Sequence, residues 1–183
     1  EQGVKEKLQA AGWQNQPYVV VHPTSRWMFK CWNTNDVAAV MEYLSQQGKT
    51  VVLSAAPSKE EMKMVEELRA TVTTPFLDLS GKMSLKELAA LIQHAEMLFG
   101  VDSVPMHIAA AMQTPVVALF GPTGDKEWGP WMVESRVIVS QDHPCRPCGK
   151  DGCGGSKVSD CLQQIPVSQV MLAVDSLLGE DAV

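Results

Sequence analysis

Short runs of β-branched and other apolar residues alternate along this chain with longer amphipathic stretches. The apolar runs at 18–22 (YVVVH), 50–54, 76–79, 96–100, 115–120 and 136–140 predict six strands, the third of them very short. Between them the apolar positions recur at helical spacing. Val37, Val40, Met41 and Leu44 line one face of a helix that starts at a Thr34 or Asn35 cap, runs to Gln47 and stops at Gly48. Ser58 opens a charged helix with Met62, Val65 and Leu68 facing inward and Glu60, Glu61, Lys63 and Glu66 outward. In SLKELAALIQHA, Ser84 and Glu87 have the spacing of a capping box. Asp102-Ser103 can cap a helix over 104–112, with Pro105 in its first turn, where a missing N–H costs nothing. A last helix is predicted over 167–178.

Strands that alternate with helices throughout predict an α/β protein, a Rossmann-like, doubly wound parallel sheet covered on both faces by right-handed crossovers. A chain of 183 residues suits one domain with a substantial core. Its first residues, EQGVKEKLQAAGW, are polar and helix-prone, with no core of their own. They read as the continuation of a larger protein. The expected division is therefore a linker or lead-in helix over 1–16 and a domain over 17–183.

Charge narrows the partners. A formal net charge of −6 argues against nucleic acid, since a phosphate-tracking surface needs a basic excess. It leaves room for one small anionic ligand, which needs only a local cluster of donors. No apolar run reaches the roughly 18 residues of a membrane-spanning helix, so a membrane span is not expected.

Three constellations could carry chemistry. After the first strand comes HPTSRWMFK, where the hydroxyls of Thr24 and Ser25 and the cation of Lys30 suit a diphosphate; the plain alternative is a turn with a surface lysine. The second is Asp102, Ser103 and His107, at the junction of the fourth strand and the next helix. A strand that hands its carboxyl end to a helix N-terminus creates the crevice where α/β sheets hold phosphorylated ligands. There a carboxylate would repel phosphate but accept hydrogen bonds from sugar hydroxyls. The plain alternatives are a helix cap for Asp102 and Ser103 and a satisfied core histidine for His107. The third is Cys145-x2-Cys148-x4-Cys153-x7-Cys161, four thiols that could hold a structural zinc ion, be reduced, buried packing thiols or, ranked last, oxidise to disulfides. No catalytic metal is expected, and Cys31 reads as a small apolar residue. No carboxylate pair is spaced for hydrolysis, and no Ser-His-Asp arrangement is visible.

Taken together, HPTSRWMFKCW, KMSLKELAALI and GVDSVPMHIAAAMQTPVVALFGPT resemble the lipopolysaccharide core heptosyltransferases, the ADP-heptose-dependent enzymes of glycosyltransferase family nine. Within that family HPTSRWMFKCW resembles the subtype that adds the branching heptose. The resemblance runs over nearly the whole chain from Tyr18 on. It implies one half of a GT-B enzyme, the carboxyl-terminal, donor-binding half, with no tightly bound cofactor and ADP-heptose as the donor substrate. It further implies an inverting transfer of heptose to a heptose of the lipopolysaccharide inner core. The acceptor and the catalytic base would belong to an N-terminal half, and the location would be cytoplasmic, at the inner face of the bacterial inner membrane.

Matched residue by residue, the resemblance places Thr24, Ser25 and Lys30 at the pyrophosphate, with Lys30 also stabilising the departing ADP. It places Met83 by the nucleotide, and Asp102, Ser103 and His107 at the sugar and phosphates. Glu60 is the expected nucleoside contact, with Lys59 and Glu61 as alternatives. Val104 stands where relatives commonly have glycine, and Lys30 sits about one residue further along its loop than in some relatives. The rival readings are a non-catalytic adenine-nucleotide-binding module and a structural domain whose polar loops bind a protein.

Overall fold

A computed structural model describes residues 2–179; residue 1 and residues 180–183, the outer ends of the two expected ranges, lie outside it. The lead-in is helix α1 (Gln2–Ala10), and strand β1 (Tyr18–His22) follows. Next come α2 (Thr34–Gln46), β2 (Thr50–Leu53), α3 (Lys59–Thr71), β3 (Leu77–Asp78), α4 (Leu85–Gln93) and β4 (Met97–Val101). The remainder is α5 (Val104–Met112), β5 (Val116–Phe120), α6 (Asp125–Trp128), β6 (Ser135–Val139), α7 (Asp160–Gln163) and α8 (Val167–Leu178).

The six strands form one sheet in the order β3-β2-β1-β4-β5-β6, and every pairing is parallel. The chain winds outward from β1 to β3, then returns through α4 to the other side of β1. The order therefore reverses between β1 and β4, the crevice where such sheets bind ligands. Gly100 on β4 pairs with His22 on β1 at that point, and a Cβ there would come within 2.8 Å of the His22 carbonyl oxygen. Glycine is what lets the two central strands meet at the switch.

Both faces of the sheet are covered, as near-continuous apolar strands require. Val19, Val21, Val51, Leu53, Phe99 and Leu119 pack on one face with α2, α3 and α8. The alternate residues Tyr18, Val20, Val52, Leu98, Ala118 and Phe120 pack on the other with α1, α4 and α5. The lead-in helix joins this second layer through buried Val4 and Leu8. Lys7 ties it to α4 by donating to Glu87 at 2.6 Å, and that contact, chiefly, holds the Glu87 carboxyl down to about 2.

The capping box of Ser84 and Glu87 forms as predicted. Elsewhere the ends differ. The cap of α2 is Asn33, whose side chain accepts from the Asp36 N–H at 2.9 Å, so neither Thr34 nor Asn35 fills the role. Ser103 holds the N-cap position of α5 without a side-chain cap bond; its hydroxyl turns back to the Val101 carbonyl at 3.3 Å. Glu61, expected on the outer face of α3, is buried.

Candidate functional site

The loops leaving β1, β2, β4 and β5, together with the residues after β3, enclose a cavity of about 750 Å³ at the carboxyl edge of the sheet. Its floor is a buried polar network. His22, at the end of β1, shares a hydrogen bond between Nδ1 and Ser54 Oγ at 2.8 Å. Thr24 Oγ1 donates to Glu61 Oε2 at 2.6 Å, and the same carboxylate oxygen accepts the Ala56 N–H at 3.3 Å. Ser58 fixes the other oxygen, donating to Oε1 at 3.2 Å. Burial pushes the His22 imidazole down to about 4, against the pull of the Glu61 carboxylate. The ring is therefore neutral at pH 7 and can bridge hydroxyls without adding charge.

Beside this floor lies an ion pair. Lys30 Nζ donates to Asp102 Oδ2 at 2.7 Å, and both side chains are largely shielded from solvent. Thr123 Oγ1 donates to the same carboxylate oxygen. The N-terminus of α5 faces the cavity with Ser103 and the exposed His107. On the β2–β3 side the wall is apolar, built from Pro57, Met83, Leu85 and Leu88.

Most residues singled out in the sequence meet here. Ser25, Lys30, Met83, Asp102, Ser103 and His107 all line the cavity. Thr24 also lines it, but its hydroxyl proton is committed to Glu61, and its side chain is fully buried. Ser25 is buried too, and its hydroxyl accepts the Trp27 N–H at 3.3 Å. The placement of Glu60 requires a correction: it is exposed on α3 and outside the cavity, whereas its neighbour Glu61 is inside. The helix turns by about 100° per residue, so only one of the two can face the sheet. His107 is exposed, which rules out the satisfied core histidine.

Of the other residues that line the cavity, His22 opens the HPTSRWMFK loop and Thr123 ends the GVDSVPMHIAAAMQTPVVALFGPT segment, but neither carries a role in the sequence analysis, and Trp128 lies in no motif there. The helical pattern also set Glu61 on the wrong face, although Ser58-x2-Glu61 has the same capping spacing as Ser84 and Glu87. That signal would have turned its side chain back toward the start of the helix.

The cysteines lie apart. Cys145, Cys148 and Cys153 are exposed, Cys161 is buried, and all are free thiols. The packing alternative thus fits Cys161 but fails for the other three. Burial, first, and the nearby thiols of Cys153, Cys148 and Cys145 push the Cys161 thiol up, while Arg146 pulls it down. Among the described residues no group of three or more His, Cys, Asp or Glu side chains is arranged to hold a metal ion. Cys31 is buried, as a small apolar residue would be, and its sulfur accepts the Ser25 N–H at 3.2 Å.

The family model for glycosyltransferase family 9 (heptosyltransferase) matches residues 1–158. Lipopolysaccharide heptosyltransferase 3 of Escherichia coli K12 is 38% identical over 180 residues, covering 98% of this chain and 51% of that protein. The chain spans about half the length of the heptosyltransferase 3 relatives it matches. A glycosyl transferase family 9 structure from Veillonella parvula superposes with a TM-score of 0.83 at 24% identity, covering 98% of this chain and 51% of that one. The Escherichia coli ADP-heptose heptosyltransferase II structure gives 0.78 at 23% identity, covering all of this chain (100%) and 53% of its own. The expected fold, one Rossmann-like half of a GT-B architecture, is the fold observed.

Proposed function

The chain belongs to glycosyltransferase family 9, the heptosyltransferases, and from that we propose that it forms the donor-binding half of an inverting enzyme that moves heptose from ADP-heptose to a heptose of the lipopolysaccharide inner core. The observation that carries the reading is the Lys30–Asp102 pair, set beside a buried carboxylate in one cavity at the switch point of a parallel sheet.

In this reading the adenosine lies against Met83 and Leu88, with Glu61 rather than Glu60 as the carboxylate within reach of its ribose. The diphosphate lies over the loop after β1, at Ser25 and Lys30, with Thr24 holding Glu61 in place. Asp102, Ser103 and His107 meet the sugar end. The acceptor hydroxyl attacks the anomeric carbon from the far face, the bond from that carbon to the diphosphate oxygen breaks, and its electron pair leaves with ADP. Lys30 and the α5 N-terminus are placed to stabilise that developing charge. Asp102 keeps the ammonium in position before the donor arrives, and the entering phosphates compete for it. The proton of the acceptor passes to a base in a separate N-terminal half. The scheme needs no tightly bound cofactor. It places the enzyme in the cytoplasm at the inner face of the bacterial inner membrane; no helix among the described residues is long and apolar enough to cross a membrane.

Calorimetric titration with ADP, UDP and ADP-heptose tests the reading. Preference for ADP-heptose over ADP, and for ADP over UDP, is expected. Equal binding of ADP and ADP-heptose would point to a nucleotide-binding module, and binding of none would overturn the donor assignment.

A further inference from the structure

Among the large apolar side chains that remain exposed, Trp27, Leu85, Val104 and Trp128 all border the cavity at the switch point. Two of them are indoles, and their situations differ. Trp27 has company: its ring stacks on Phe29 with centroids 6.3 Å apart, and the Arg26 guanidinium lies 5.3 Å from its centroid. Trp128 is 60% exposed and, among the described residues, has no ring partner and no side-chain hydrogen bond. An indole left in water at the mouth of a binding cavity is a large apolar surface without a cover.

Its position is built rather than incidental. Trp128 ends the single turn of α6. Arg146 pins that turn from behind, donating to the Gly121 carbonyl at 2.5 Å, to the Thr123 carbonyl at 3.4 Å and to the Asp125 carboxylate at 3.2 Å. Gly129 follows directly, and a Cβ there would come within 2.4 Å of the Asp125 carbonyl oxygen. The chain thus turns sharply after Trp128 and leaves its ring at the rim.

The sheet order says what that ring would meet. Met83 and Leu88 lie at the β2–β3 end of the cavity, the loop with Lys30 in the middle, and Thr123 and Trp128 at the β5 end. A nucleoside diphosphate sugar laid across the switch point, with its base at the apolar end and its phosphates at the cation, brings the sugar to β5. Asp102 then faces hydroxyls, and the indole faces the C–H side of the pyranose ring.

We infer that Trp128 is a specificity-determining residue, the platform on which the sugar of the donor stacks. This rests on the donor-binding reading above, with its base toward β3 and its sugar toward β5, and adds the side chain on which the sugar stacks.

The test compares ADP with ADP-heptose by calorimetry on the 183-residue chain, for the unaltered protein, Trp128→Ala and Trp128→Phe. Trp128→Ala should weaken ADP-heptose by about three- to tenfold, the range expected for loss of one aromatic stack, and should change ADP by less than about twofold. Trp128→Phe should recover most of the loss. The side chain is exposed, so the variants should keep the far-ultraviolet circular dichroism of the parent. Equal weakening of both ligands would put the indole at the nucleotide and reverse the direction. No change in either would remove Trp128 from the site. In both cases the unaltered chain would still bind ADP-heptose, so the inference would fail while the donor assignment stood; failure of the unaltered chain to bind either ligand would overturn both.

Discussion

The loops at the switch point and the cysteine-bearing stretch over 140–159 are the two regions richest in reactive side chains, and the fold treats them in opposite ways. At the switch point His22, Thr24, Glu61 and Asp102 are buried, each with a partner within hydrogen-bonding distance. In the other region Cys145, Cys148 and Cys153 face solvent. The sheet makes the difference. Parallel strands end at a common edge, so loops of distant sequence converge there and shield one another. The cysteine stretch lies beyond the last strand; Arg146 and the Gly149 N–H bond to the Pro122 carbonyl at 2.9 Å tie it to the loop after β5, but no neighbouring loop covers its three thiols. A residue type becomes informative about function when the fold has carried the cost of burying it.

That contrast breaks most visibly at Glu61. Glu61→Ala would leave the Thr24 hydroxyl and the Ala56 N–H short of their acceptor. Ala56 is exposed and can turn to water, but the Thr24 hydroxyl is fully buried; a buried group so stranded costs about 1–3 kcal/mol, and a loss of that size in denaturant unfolding is expected. Glu60→Ala, on the exposed side of the same helix, should stay within about 0.5 kcal/mol. ADP affinity should follow the same order. Equal effects would mean that burial does not distinguish the two positions.

The ion pair gives the next largest effect. Lys30→Ala should weaken ADP binding by about tenfold or more, the worth of one charge-assisted hydrogen bond of about 1.5–3 kcal/mol. Asp102→Asn keeps the shape of the carboxylate and removes its charge. It should weaken ADP-heptose more than ADP, because the carboxylate faces sugar hydroxyls in the proposed pose. Unchanged ADP affinity in folded Lys30→Ala would detach the lysine from the phosphates.

Legibility in the sequence followed the same division. All six strands appear within one residue at either end of where the apolar runs put them, because β-branched runs bounded by turn residues leave little choice. The third shrinks from the expected 76–79 to Leu77–Asp78 at the sheet edge. A parallel sheet with a crevice at its carboxyl edge follows from alternating strands and helices; the particular strand order does not, since doubly wound sheets take more than one. What escaped was direction. Whether Glu60 or Glu61 turns inward depends on the phase of α3 against the sheet, and a charged helix carries few apolar residues to set it. The Asp102 carboxylate was read as a cap or a sugar ligand, and it holds Lys30 across 72 positions of sequence; local spacing cannot register such a contact. The turn carrying Trp128 is too short for periodicity to register.

His22 offers a test by pH rather than by substitution. Its folded value of about 4 lies below the ordinary 6.5. Between those values the unfolded chain binds the proton and the folded chain does not, so stability should fall as pH drops from about 6.5 toward 4. His22→Gln keeps a polar partner for Ser54 and Thr24 without a titrating ring. It should flatten the slope of unfolding free energy over that interval. An unchanged slope would assign the acid sensitivity to other groups.

The smallest effects belong to the cysteine stretch, and they sharpen the comparison from its exposed side. Cys145, Cys148 and Cys153 should react at once with an aromatic disulfide reagent, whereas Cys31 and Cys161 should wait for unfolding. Burial pushes the Cys31 thiol up to about 12 and raises that of Cys161, so neither offers thiolate to the reagent. Cys145→Ser should change stability by no more than about 0.5 kcal/mol, as exposed substitutions do. Protection of the three exposed thiols that a chelator removes, together with about one metal ion per chain by elemental analysis, would instead show that a metal draws the four clustered sulfurs together. The 140–159 stretch would then be a second built site, its thiols held by coordination and its backbone by the Arg146 and Gly149 bonds to the loop after β5.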